Sequence, residues 1–428
     1  MQGHNINAKI YLYKIGVGKM FKKHILAKFY AVILLLGITP LFAGSLPDNF
    51  EFSTKLDLFA SYAKTPDTLL TKYREASFRF SINSLYRITD NLSLNFLPYI
   101  DGSYDVNRED KNKTQVKIWQ AYLNYKIANF NFNIGRFDFA EEALAPFIYY
   151  GNYLPEKPVL PTALDGLKHN FVSKYLDYTL LAAKEAQIDE QVKAKLAGAE
   201  VTVKPLSWFN ISGFYFYQNK KYNKGIRKIN SKLSVYGAGI DLFFSESSGF
   251  RFYGAKNGGE EKEARPSITK VKPYKGYAFN GELYFQNLYK TGTLNNELGF
   301  YIFSDKEKFQ TFPNELKTGI IYDGMNYGDL LPSSAQIIYA LLDFNFKKYP
   351  FLYAGADIFV YSSGKENFNN RNYYAQELNL NVGLKFDAWG FKLSGGFFEG
   401  EALFFGGTST EKQKIKKLQA NFFYKFTL

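Results

Sequence analysis

Apolar and polar residues alternate with a period of two along most of the chain. Residues 375–388 place Leu378, Leu380, Val382, Leu384 and Phe386 on one face, and Glu377, Asn379, Asn381, Lys385 and Asp387 on the other. Residues 351–362 repeat this, with Leu352, Ala354, Ala356, Ile358 and Val360 opposite Tyr353, Asp357 and Tyr361. Residues 276–288 set Tyr277, Phe279, Leu283 and Phe285 against Asn280, Glu282 and Gln286. Near the start, Ala76, Phe78, Phe80 and Ile82 oppose Ser77, Arg79, Ser81 and Asn83. This is the signature of strands with one apolar and one polar face. It predicts about 18 strands, at roughly 51–63, 74–88, 92–101, 115–127, 130–138, 165–174, 176–185, 197–204, 209–219, 232–245, 250–256, 276–288, 294–304, 335–346, 351–362, 375–387, 390–398 and 417–428.

The connections between these strands alternate short and long. Thr89-Asp90-Asn91, Ala128-Asn129, Lys174-Tyr175 and Ala388-Trp389 are tight, whereas 102–114, 139–164, 257–275 and 305–334 are long. A soluble sandwich has no reason to keep every second turn tight. A barrel of the bacterial outer membrane does, with short periplasmic turns, long external loops and an even strand number. Closure is compulsory there, because each unpaired N–H or C=O in hydrocarbon costs several kcal/mol. The expected fold is therefore all-β, a transmembrane antiparallel β-barrel. Its last strand, Leu418 to Leu428, is an unbroken apolar ladder suited to closing against the first.

Residues 1–45 read differently. Met20 is followed by Lys22, Lys23 and Lys28, then by the apolar run Phe29 to Phe42 and the small-residue exit Ala43-Gly44-Ser45. This order is that of a secretory signal, with translation expected to begin at Met20. Residues 46–428 are then the mature domain.

Composition agrees with a transport scaffold more than with chemistry. Of 428 residues, 18% are aromatic, none is cysteine and three are histidine. Thiolate catalysis and Cys-ligated metals are thereby excluded. The formal charge of +13 falls to +7 once the six lysines of the acid-free residues 1–45 are removed. That modest excess does not argue for nucleic-acid binding, and no nucleotide, metal or other cofactor site is visible.

Strand parity assigns a mixed lumen, with Lys55, Arg79, Lys126, Lys385, Lys392, Lys417 and Lys425 beside Asp57, Glu200, Glu282, Glu297, Asp343, Asp357, Glu377 and Asp387. Opposed rows of charge across a narrow pore orient polar solutes, whereas a lining of one sign selects by charge. His169, the only histidine beyond residue 45, is expected to be a polar wall residue; the competing reading is a hydrolase in which it serves a nearby serine such as Ser173. Glu141-Glu142, Glu260-Glu261, Asp323 and Asp329 are expected as solvated loop carboxylates. The stretch 184–196 has helix-forming composition, and Lys220, Lys221, Lys224, Arg227 and Lys228 are expected in a basic external loop.

One region carries a family resemblance. Trp119-Gln120-Ala121-Tyr122-Leu123, then Gly135-Arg136-Phe137, then a long loop, then Ala163-Leu164-Asp165-Gly166 resemble the alginate-export family of outer-membrane barrels. The related 18-stranded carboxylate and basic-amino-acid porins are similar. The resemblance implies a monomeric barrel rather than a trimer, with the loop at about 139–164 folded inward as a constriction. It implies Arg136 near that constriction and Asp165 opening the returning strand, with Asp138 a further constriction candidate. Arg136 shares parity with Phe132 and Ile134, so a bulge at Gly135 is expected to turn it inward. Phe137 departs from the family's usual Gln, and the mixed lumen departs from a strongly cationic one.

The expected function is passive diffusion or export of small polar or anionic solutes or oligosaccharides across the outer membrane, in contact with its lipid and lipopolysaccharide. The alternatives are the His169 hydrolase and a plugged structural or adhesive barrel.

Overall fold

A computed structural model describes residues 49–64, 73–105, 113–148, 150, 163–186, 192–224, 227–264, 269–304, 336–363, 373–401 and 412–427. The expectations for residues 1–45, Asp323, Asp329 and 151–162 lie outside them. The first nine strands are β1 (Phe50–Lys64), β2 (Tyr73–Thr89), β3 (Leu92–Asp105), β4 (Lys113–Ile127), β5 (Phe130–Phe137), β6 (Leu164–Val172), β7 (Leu176–Glu185), β8 (Val192–Leu206) and β9 (Phe209–Lys224). Then come β10 (Arg227–Ser245), β11 (Ser248–Ala264), β12 (Thr269–Pro273), β13 (Tyr277–Leu288) and β14 (Gly292–Phe303). The last are β15 (Gln336–Phe346), β16 (Leu352–Ser363), β17 (Tyr373–Lys385), β18 (Trp389–Glu401) and β19 (Lys412–Thr427).

All pairings are antiparallel, and β19 pairs with β1 to close the ring. β11 pairs directly with β13 through Gly249 to Lys256, while β12 pairs only with the far end of β11, Glu260 to Ala264. The wall is thus a closed barrel of 18 strands, and β12 is a short flap above it. With no open edge, every wall strand has its backbone groups satisfied on both sides, as hydrocarbon demands.

Apolar side chains at alternate positions form the outer band: Val201, Val203, Ile211, Leu378, Leu380 and Val382 are exposed. Trp208, Tyr349 and Phe351 sit at tight turns, where Phe386 stacks on Trp389 at 4.3 Å. Aromatics at that level form the interfacial girdle of such barrels.

Three expected loops are instead mostly strand. β8 begins at Val192, so the helix-forming stretch is ladder at both described ends. Lys220 and Lys221 lie in β9 and Lys228 in β10, in register through Lys228↔Asn223. Glu260 and Glu261 lie in β11. Helix propensity and polarity are weak forces beside a neighbouring strand that offers its free edge.

Candidate functional site: the barrel interior

The registers fix which side chains face inward. Phe137 opposes Leu164, which opposes Glu185; on the next strands Leu196 opposes Gln218, and Phe216 opposes Val235. These residues share one face with a buried apolar cluster that includes Phe139, Leu144, Phe147, Ile148 and Tyr150. Those five belong to the segment after β5, and they are buried on the inner wall of β7–β10. Phe139 meets Phe216 edge-on at 5.4 Å, and Phe147 stacks on Phe214 at 5.6 Å. Gly198 makes the room, since a Cβ there would come within 2.1 Å of the Phe216 ring. A polar clasp completes the contact. Tyr150 donates to Glu185 at 2.8 Å, and Gln218 donates to Glu185 at 2.8 Å and to the Tyr150 hydroxyl at 3.1 Å. The described part of the segment after β5 therefore lies inside the ring.

The inward charges are sorted by arc. On β10–β17 they are mainly acidic: Asp241, Glu282, Glu297, Asp343, Asp357 and Glu377. Arg251 stands among them, 3.2 Å from Asp241 and 3.7 Å from Glu282. Glu282 also accepts from Tyr339 at 3.4 Å, and Asp357 accepts from Asn381 at 2.8 Å. Asn379, fully buried beside Asp357, has neither side-chain polar atom bonded among the described residues. On β18, β19 and β1–β6 the inward charges are mainly basic: Lys392, Lys417, Lys425, Lys55, Arg79, Lys126 and Lys168. Arg79 is buried and holds Asp101 with two bonds, of 2.7 and 3.2 Å, with its guanidinium over the Tyr99 ring at 5.1 Å. Lys55 pairs with Asp57 at 2.8 Å. Lys126 and Lys385 are both inward and exposed, next to tight turns. The lining is mixed in composition, as expected, yet segregated in space.

Asp138 stands where the chain leaves β5. Burial pushes its carboxyl above the usual range, partly offset by Lys168 and by a bond from Gln120. Lys168 also donates to the Asp138 carbonyl at 3.3 Å.

Arg136 and Asp165 are not brought to the interior. Gly135 takes a left-handed φ of +127°, but the register of β5 runs unbroken through it on both sides, so the expected bulge is absent. Arg136 therefore stays on the outward row of Ile134. It meets Asp165 directly across the ladder, with bonds of 2.7 and 3.0 Å, and reaches the Ile118 carbonyl at 3.3 Å. The Gly-Arg and Asp-Gly pairs of the sequence pattern are thus one clasp, Gly135↔Gly166 and Arg136↔Asp165, at the root of the long loop. The bulge lies instead at Leu97/Pro98, where the extra residue of β4 is Trp119, buried against Tyr99.

His169 also faces outward. It stacks on Phe132 at 4.2 Å with Phe130 and Tyr178 nearby, a polar member of the aromatic girdle rather than a lumen residue. The Ser173 hydroxyl donates to the Leu176 carbonyl at 2.7 Å and accepts from the Leu176 amide, capping the turn.

Fold and interior together define a closed 18-stranded antiparallel β-barrel with a charged interior. The chain superposes on Pseudomonas aeruginosa OpdQ with a TM-score of 0.58 at 12% identity, over 90% of this chain and 100% of that one. P. aeruginosa OccK5 (OpdH) gives 0.58 at 10% identity, over 89% and 99%. Acinetobacter baumannii OccAB4 gives 0.56 at 12% identity, over 88% and 98%. At such identities the likeness establishes architecture. No family model and no curated relative matches the chain, so alginate export in particular finds no support.

Proposed function

We propose that the protein is a passive channel of the bacterial outer membrane for small polar solutes, working as a monomer. The solved barrels it superposes on are outer-membrane porins, which supports this reading. The observation that carries it is the sorting of inward charge: an acidic arc across β10–β17 faces a basic arc across β18–β6. Such an interior is costly to build unless water and solutes fill it. It imposes a transverse field that turns a dipolar solute side-on as it passes, and the solute gradient alone drives the flow. The segment after β5 narrows the bore, held on the wall by Phe139, Phe147 and Tyr150. Oligosaccharides and small carboxylates both fit this chemistry.

A plugged barrel is the second reading, favoured by the buried inward aromatics Tyr301, Tyr339, Tyr361 and Phe398. Liposome swelling with sugars of graded size separates the two. The channel reading expects swelling with the smallest sugars, and a larger size limit after deletion of 146–161. Protein that inserts yet gives neither swelling nor stepwise conductance in planar bilayers would overturn it.

A further inference from the structure

The outward face should be apolar to the height of the lipid and featureless above it. On β7–β10 it is instead basic at its upper end. Lys184 opposes Lys195, and Lys193 opposes Lys221, each pair directly across the ladder. Lys195 and Lys193 are successive outward residues of β8, since Ala194 and Leu196 between and beside them are buried inward. Lys232 continues the row through Asn219. All five side chains are exposed, and none forms an ion pair among the described residues.

Height can be reckoned from the tight turns. Lys195 lies eleven residues above the end of β8 at Leu206, Lys221 twelve above Phe209, and Lys232 thirteen above Ser245. At about 3.3 Å per residue and a tilt of about 40°, that is roughly 28–33 Å above the periplasmic turns. An apolar band is about 25 Å tall. The lysines therefore stand just above it, over the outward tyrosines Tyr215 and Tyr236, at the level of the outer-leaflet headgroups.

Like charges placed directly opposite in a ladder repel. Two such pairs stacked on three neighbouring strands attract an anion, because the acids at the ends of the row, Asp165 opposite Lys184 and Glu260 opposite Lys232, are already paired with Arg136 and Lys262. Cross-strand neighbours are about 5 Å apart and successive outward residues about 7 Å, so one multiply charged group can bridge several ammonium groups. We infer that this face binds the phosphate groups of a phosphorylated glycolipid of the outer leaflet, the lipid A class. The acyl chains would lie down the apolar band below. The inference rests on the outer-membrane reading, but its failure is distinguishable, because the lysines lie outside the pore.

The test uses the full mature chain in detergent, with bisphosphorylated lipid A, its dephosphorylated form and phosphatidylglycerol as probes, read by native mass spectrometry and by thermal shift. The bisphosphorylated form should bind at least about tenfold more tightly than the dephosphorylated one, and less tightly as salt rises. The variant K193Q/K195Q/K221Q should lose most of that preference while its heat-modifiable migration and single-channel conductance stay unchanged. Equal binding of both lipid A forms, an unaltered preference in the triple variant, or phosphatidylglycerol binding as tightly as lipid A would overturn the assignment. Absence of conductance in the unaltered protein would instead count against the channel.

Discussion

The clasp at the root of the long loop depends on two residues that do different things. Gly135 supplies a backbone conformation. Its φ of +127° is open to glycine, and a Cβ would lie 2.4 Å from the Ala121 carbonyl oxygen. Arg136 supplies the bond, reaching Asp165 and the Ile118 carbonyl from one guanidinium and so tying β4, β5 and β6 together. Gly135→Ala should therefore destabilise the barrel by about 1–3 kcal/mol, through strain. Arg136→Ala should cost less, about 1 kcal/mol, because the pair is partly exposed. Urea unfolding of the detergent-solubilised protein, followed by tryptophan fluorescence, checks both. Exchange of the pair, Arg136→Asp with Asp165→Arg, should recover part of what either single change loses. If the two single changes instead leave stability alone and alter conductance, the outward placement is wrong.

Among the elements, the wall strands were legible in the sequence because lipid imposes apolarity on every second residue. Leu378, Leu380 and Val382 read correctly for that reason, and the tight turn at 128–129 fell where expected, whereas the one expected at 388–389 lies at 386–388, with Trp389 opening β18. Above the lipid that constraint lapses. Lys193 to Leu196 alternate inward and outward, but lysine and alanine on the pattern read as helix formers, and the upper arms of β8–β11 passed for loops. The inward placement of Phe139, Phe147 and Tyr150 left no periodic trace either, since it depends on Gly198 and Gln218 far along the chain. Parity did place Arg136 outward, and the family pattern drew it inward; the register decides for parity. The junction of β5 and its loop carries a pH dependence. Burial raises the Asp138 carboxyl above its unfolded value, so the native state holds the proton more tightly than the unfolded state does. Stability contributed by this group is complete at low pH and is lost as pH rises from the ordinary carboxylate range through the raised native value. Asp138→Asn should flatten that slope, leaving the variant relatively more stable at neutral pH than at pH 4 when unfolding is compared across the range. A slope identical in the variant would remove Asp138 from the account.

At the scale of the whole molecule, the interior differs from a mixed lining in one respect, the arc on which each charge stands. In a barrel that closes in chain order, sequence order is ring order, so the acidic run from Asp241 to Glu377 and the basic run through Lys392, Lys425, Lys55 and Arg79 face each other across the bore. Net charge and transverse field are then separable by mutation. Asp343→Asn with Asp357→Asn should shift the reversal potential in a salt gradient toward anions, and Lys392→Gln with Lys425→Gln should shift it toward cations. The four changes together leave the net charge of the lining unchanged while removing about a third of the charge on each arc. That combined variant should show ion selectivity close to the parent, yet it should pass a zwitterionic solute no better than a neutral one of equal size, where the parent distinguishes them. Should it keep the parent's discrimination between those two solutes, the bore sorts by size and net charge alone, and the segregation of its charges has no part in transport.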